Sequence, residues 1–144
     1  VREAASKDHR IEYIGFVSFE QVLSLYNSAD VLINMRLTEA LNTKYFFPSK
    51  VMECLASGVP VISTCTGHME REFRDFCYLL KDETPQGLAD AIRYVSSLSS
   101  DERARIGCQA RDYMRENKTW DAQGNKLFKY ICETVLQRKN INIK

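Results

Sequence analysis

Several features that would place a chain quickly are missing from this one. No stretch approaches the roughly 18–20 consecutive apolar residues of a membrane-spanning helix, so no such helix is expected. Net charge is almost absent. Lys and Arg number 20 against 19 Asp and Glu, a formal +1, which gives no general attraction to nucleic acid or acidic membranes. The five cysteines (Cys54, Cys65, Cys77, Cys108 and Cys132) are odd in number and lack C-x-x-C or Cys/His ligand spacing. That pattern argues against a zinc site and a disulfide framework, and predicts buried, reduced thiols in a cytosolic protein. No internal repeat or low-complexity segment is present. The start, Val1-Arg2-Glu3-Ala4, has neither Met nor the apolar core of a signal peptide, so a fragment or a processed chain is expected.

What is present suits one domain. The 144 residues are 44% hydrophobic and 27% charged, enough apolar mass for one real core. Ile11 to Val17 is a β-branched and aromatic run and is expected as a strand. Ser18-x-x-Gln21 is a capping-box pattern and opens a helix over 19–28. Val31-Leu32-Ile33 reads as a strand buried on both faces. Residues 35–47 have no clean period and read as a loop. Val51, Met52, Leu55 and Ala56 form an apolar stripe on a helix that begins near Pro48 and ends at Ser57-Gly58. Pro60 to Thr64 is the next strand, Glu70 to Phe76 a short helix or turn, and Cys77 to Leu80 a last strand. Thr84-Pro85 caps a helix with Leu88, Ala91, Ile92 and Val95 at helical spacing. Ser99-x-x-Glu102 opens a further helix to about Asn117. A terminal helix is expected from Trp120 to about Arg138, with Leu127, Ile131 and Val135 on one face. The alternation predicts an α/β fold: a Rossmann-like parallel sheet flanked by helices over residues 1–138, with 139–144 as a tail.

Ligands of open α/β sheets bind at the carboxyl ends of the strands. Two connections leave such ends: residues 35–48 and residues 65–70. The first runs into a helix N-terminus at Pro48-Ser49-Lys50, where free N–H groups suit a phosphate. Ser49 and Glu53 lie on one stripe of that helix, with Lys50 beside them. Glu53, one turn in, could accept hydrogen bonds from the vicinal hydroxyls of a ribose. The plainer reading is also open: Ser49 caps its helix, and Glu53 with Lys50 is a solvated i, i+3 pair worth little.

The stretch Phe47-Pro-Ser-Lys-Val-Met-Glu-Cys-Leu-Ala-Ser-Gly-Val-Pro-Val-Ile-Ser-Thr64 resembles the donor-site segment of the retaining glycosyltransferases of family four (glycosyl transferases group 1), which have the GT-B fold. Gly15-Phe16-Val17, Leu25-Tyr26 and Ala29-Asp30-Val31-Leu32 resemble the family's preceding segment, and Leu88 to Ile92 and the region of Trp120 its tail. The resemblance covers roughly 11–137 and implies the C-terminal, donor-binding half of a GT-B fold, truncated at its N-terminus. It implies that Glu53 holds the donor ribose, that Ser49 and Lys50 line the nucleotide pocket together with Pro48, and that Gly67 and its neighbours lie near the diphosphate and sugar. It further implies a nucleoside-diphosphate sugar as donor, transferred with retention to a glycan or lipid-linked acceptor, with no tightly bound metal or other cofactor.

His68, Glu70, Lys44 and Arg36 are further candidates for contact with the donor. Each is set against a plain loop or helix-start role. Tyr45-Phe46-Phe47 is a candidate for stacking on the base or for packing. The family often carries a second glutamate eight residues before the ribose-binding one; Tyr45 stands there, and Glu39 is the nearest acidic candidate for a catalytic role.

The acceptor domain of the family, and two βα units that supply its basic pair, are not found upstream of Ile11. In the family's strand order, residues 11–17 would then stand apart from the later strands. The sheet edges are expected to be exposed, with dimerisation or docking of the missing part as outcomes. A cytoplasmic location is expected, with Lys126, Lys129, Arg138 and Lys139 as candidates for contact with the inner face of a membrane, or else a solvated face. His9 is expected at the surface. The alternatives are a non-catalytic module that binds a nucleotide or a partner, and another GT-B enzyme such as a sugar-nucleotide epimerase.

Overall fold

A computed structural model describes residues 1–39, 45–46 and 49–136, with the backbone alone at 135–136. The order of elements is α1 (Arg2–Lys7), α2 (Phe19–Ser28), β1 (Leu32–Asn34), α3 (Ser49–Ser57), β2 (Val61–Thr64), α4 (Met69–Glu72), β3 (Tyr78–Leu80), α5 (Pro85–Ser97), α6 (Ser100–Asn117) and α7 (Trp120–Tyr130), then a π-helical stretch, Ile131–Leu136. The three strands form a parallel sheet in the order β1-β2-β3. Leu32 is in register with Val61, and Ile62 with Tyr78.

All four residues of β2 are buried, as expected of a central parallel strand covered on both faces. Its alternation divides the core in two. Val61 packs with Val51, Leu55, Met69, Phe73, Ala110 and Met114, under α3 and α6. Ile62 packs on the other side with Leu80 and Val95, against the Leu88, Ala91 and Ile92 stripe of α5. The result is a Rossmann-like sheet flanked by helices.

The helix starts follow local chemistry. Ser18 and Gln21 form the full capping box, as do Ser99 and Glu102, each satisfying two N–H groups that the first turn leaves open. Thr84 Oγ1 accepts from the Gly87 amide at 3.1 Å, with Pro85 in the first turn of α5.

Two expectations are corrected. Residues 11–17 form no strand. A strand needs a neighbour for its N–H and C=O groups, and among the described residues none pairs with this run. Gly15 also turns it with φ 78°, leaving Tyr13, Ile14 and Phe16 exposed. The short helix or turn expected over 70–76 is found as the single turn α4 followed by a non-helical turn to Cys77. The terminal helix, expected to run from Trp120 to about Arg138, changes from α to π at Ile131, and Trp120, Leu127 and Ile131 are exposed. The expected tail, 139–144, lies outside the described residues. Among the described residues no helix is long and apolar enough to cross a membrane.

The five cysteines are free thiols, with Cys54 and Cys77 buried and Cys108 exposed. Burial pushes the Cys77 thiol up to about 12. A folded-state value above the unfolded one means that the folded chain holds a proton the unfolded chain gives up, so this stabilisation is lost as pH rises from about 9 toward 12. Urea unfolding should therefore show a lower midpoint at about pH 10 than at neutral pH, and Cys77→Val should reduce the difference. An unchanged slope in that variant would place the titration elsewhere.

Candidate functional site

The carboxyl ends of β1 and β2 open beside the start of α3. There a cavity of about 190 Å³ is lined by Asn34, Arg36, Phe46, Ser49, Lys50, Val51 and Thr66. Its wall is held by side chains reading one strand end against the next. The Asn34 amide donates to Ser63 Oγ at 3.2 Å, and Ser63 Oγ donates to the Thr64 carbonyl at 3.0 Å. The Arg36 backbone N–H donates to Thr64 Oγ1 at 3.0 Å. The Arg36 guanidinium carbon lies 4.8 Å from the Phe46 ring centroid, a cation–π distance. Ser63, Thr64 and Thr66 are all buried, and the hydroxyls of Ser63 and Thr64 serve as the frame.

Two cations, Arg36 and Lys50, thus face the cavity where α3 presents its amide end, an arrangement suited to an anion. Glu53 takes the next position along. Its carboxylate is half-exposed and meets Lys50 Nζ at 2.8 Å. First by this hydrogen bond and then by its charge, Glu53 holds the Lys50 ammonium above its ordinary range. Glu53 is not part of the cavity lining. Its flank of α3 faces α2, where burial first, and Cys54 second, push the Tyr26 hydroxyl up. Lys50 bridges the two: it is among the residues lining the cavity, and its ammonium pairs with Glu53.

The other expected residues fall elsewhere. Gly67 takes a left-handed turn, φ 58°, between buried Thr66 and His68, and His68 is exposed at the start of α4. Glu70 pairs with Arg74 at 3.4 Å and lines a second cavity of about 800 Å³ along β3, with Cys65, Tyr78 and Tyr94. Glu39 lines a third, of about 720 Å³, with Leu37, Lys81 and Asp82. Catalytic candidate Glu39 and nucleotide candidates Ser49 and Lys50 therefore line different cavities. His9 is exposed. Pro48 and Lys44 lie outside the described residues, as does Phe47. Thr66 falls in the 65–70 connection, beside Gly67, where the sequence placed the diphosphate and sugar; Asn34 was not legible as a site residue. The only signal for Asn34 was its position at the end of β1.

Comparison with known proteins bears on the family of the chain. A family model described as glycosyl transferase-like matches residues 3–129. A protein of Escherichia coli (strain K12) that carries the name colanic acid biosynthesis glycosyltransferase WcaL is 28% identical over 104 residues. The match takes in 71% of this chain and 26% of that relative, so it spans about a quarter of the relative's length. With most of its length under the family model, and with a Rossmann-like sheet carrying a cationic cavity at its carboxyl edge, this chain belongs to the glycosyl transferase-like family.

Proposed function

We propose that this chain forms the donor-binding part of a glycosyltransferase, taking a nucleoside-diphosphate sugar for transfer, with retention, to a glycan or lipid-linked acceptor held by a separate domain. The observation that supports this reading is the cavity at the start of α3, where Lys50 and Arg36 converge with the helix amide end while Glu53 stands one turn along. The diphosphate would sit at the amide end, its charge met by the two cations, which is electrostatic stabilisation of a leaving group. The Glu53 carboxylate would exchange part of its contact with Lys50 for ribose hydroxyls. No tightly bound metal is part of this reading. The name of the Escherichia coli relative supports polysaccharide assembly as the setting. That setting is cytoplasmic, with exposed Lys126 and Lys129 on α7 toward the inner face of a membrane.

Calorimetry with UDP and GDP tests the reading. Glu53→Ala should weaken nucleotide binding about tenfold, the loss of one hydrogen-bonded carboxylate contact. Equal affinity in wild type and variant would remove Glu53 from the site. Tyr45, at the position where the family often has its second glutamate, favours a second reading, a module that binds nucleotide without turnover. Donor hydrolysis or transfer assayed on the full-length protein separates the two.

A further inference from the structure

We propose that Glu83 is a positioning residue for the nucleotide cavity, acting at a distance through Thr38 on the placement of Arg36. This rests on the reading of that cavity as the donor site. Glu83 follows β3 and does not line the cavity that holds Arg36. Its two carboxylate oxygens instead receive two hydrogen bonds from a single residue 45 positions earlier: the Thr38 amide at 2.7 Å and Thr38 Oγ1 at 2.9 Å. Both bonds are partly buried, and bonds to an ionised acceptor are the stronger class.

The geometry gives this pair leverage. The segment that leaves β1 is tied at three successive points to the rest of the sheet: Asn34 to Ser63, the Arg36 amide to Thr64, and Thr38 to Glu83. The first two ties reach β2 and hold the segment as far as Arg36. The third reaches past β2 to the exit of β3 and closes the span. Glu83 itself stands on a stiff mount. The Thr84 amide donates to Asp82 Oδ1 at 3.0 Å and the Gly87 amide to Thr84 Oγ1 at 3.1 Å, so the turn into α5 is hydrogen-bonded on both sides of it. A carboxylate on a rigid turn holding both donors of one residue restricts the backbone two residues away. That backbone carries the guanidinium stacked on Phe46. A group placed this way contributes by preorganising a contact rather than by making one.

The full-length protein carrying Glu83→Ala should bind UDP about tenfold more weakly than wild type. Hydrogen exchange at the Thr38 amide should quicken in the same variant. Glu83→Gln should behave as wild type within about twofold, because its carbonyl still accepts from the Thr38 amide and the Thr38 hydroxyl can turn to accept from its NH₂. Combined with Arg36→Ala, the Glu83→Ala change should add little further loss, since both act through one contact. Additive losses would mean that Glu83 touches the ligand or acts independently, and would overturn the proposal. So would unchanged UDP affinity in Glu83→Ala, or Glu83→Gln failing as badly as alanine. Should Glu83→Ala not fold, Thr38→Ala removes one of the two bonds and should show a smaller loss of affinity; no loss would overturn the proposal. If wild type binds neither UDP nor GDP, the donor reading fails first. Thr38 amide protection in Glu83→Ala then judges the clamp by itself, and unchanged protection overturns that too.

Discussion

Phe73→Ala is expected to lower folding stability by about 3–5 kcal/mol, a large part of the roughly 5–15 kcal/mol typical of a domain. Phe73 is 1% exposed and is among the largest fully buried side chains. Its ring meets Tyr113 edge-on, with centroids 6.2 Å apart at 89°, and carries the Lys118 ammonium at 5.5 Å on its face. Lys118 also pairs with Glu72, which accepts from the Tyr113 hydroxyl as well. Removing the ring therefore leaves a cavity under α6 and loosens a partly buried ion pair. The effect should reach the site. α4 is only four residues long, too short to persist without packing, and Met69 and Phe73 are what bury it. Urea unfolding monitored by circular dichroism gives the loss, and hydrogen exchange should locate the loosening at 66–73. A loss under about 1 kcal/mol would mean that the surrounding side chains collapse into the gap.

The second large effect is expected at Gly107, in the middle of α6. A Cβ there would stand 1.8 Å from the Gly58 carbonyl oxygen, far inside any tolerated contact. Gly58 ends α3 with φ 82°, the left-handed conformation that suits glycine at a helix C-terminus. α3 and α6 thus touch backbone to backbone, and the obstacle is a carbonyl, not a side chain that can swing aside. Alanine is the better helix former by about 1 kcal/mol, but driving two packed helices apart costs more, for a net loss of about 2 kcal/mol. Gly124 in α7 has no atom within 4 Å of its would-be Cβ. Gly124→Ala should therefore gain stability by up to about 1 kcal/mol. The two alanine variants should move the thermal midpoint in opposite directions; movement in the same direction would refute the close approach of α3 and α6. Because α3 carries Ser49 and Lys50 at its other end, Gly107→Ala should also weaken nucleotide binding.

How much could be read in advance differs by element. α2, α5 and α6 were legible because each is announced by its own residues: Ser18 with Gln21, Thr84 with Pro85, Ser99 with Glu102. β2 was legible because a short apolar run closed by polar residues has few other uses in an alternating chain. The run at 11–17 has every local property of a strand and forms none, since pairing is a property of the neighbour. Site residues divide in the same way. Ser49 and Lys50 are found at the cavity because the helix start that places them is local. The Lys50–Glu53 pair was legible too, as an i, i+3 contact within one helix; that Glu53 stands off the cavity lining is a matter of how α3 is rotated against its surroundings.

The amino-acid sequence by itself determined where the chain turns and caps, because those depend on residues within about four positions of each other. It also determined that a phosphate-suited helix start follows the strand ended by Asn34. Tertiary structure alone decided that Asn34 meets Ser63, that Arg36 is tied to Thr64, and that Thr38 is held by Glu83. Those contacts span 28 to 45 residues, and hydrogen bonds over such distances exist only once the sheet has set three strand ends side by side.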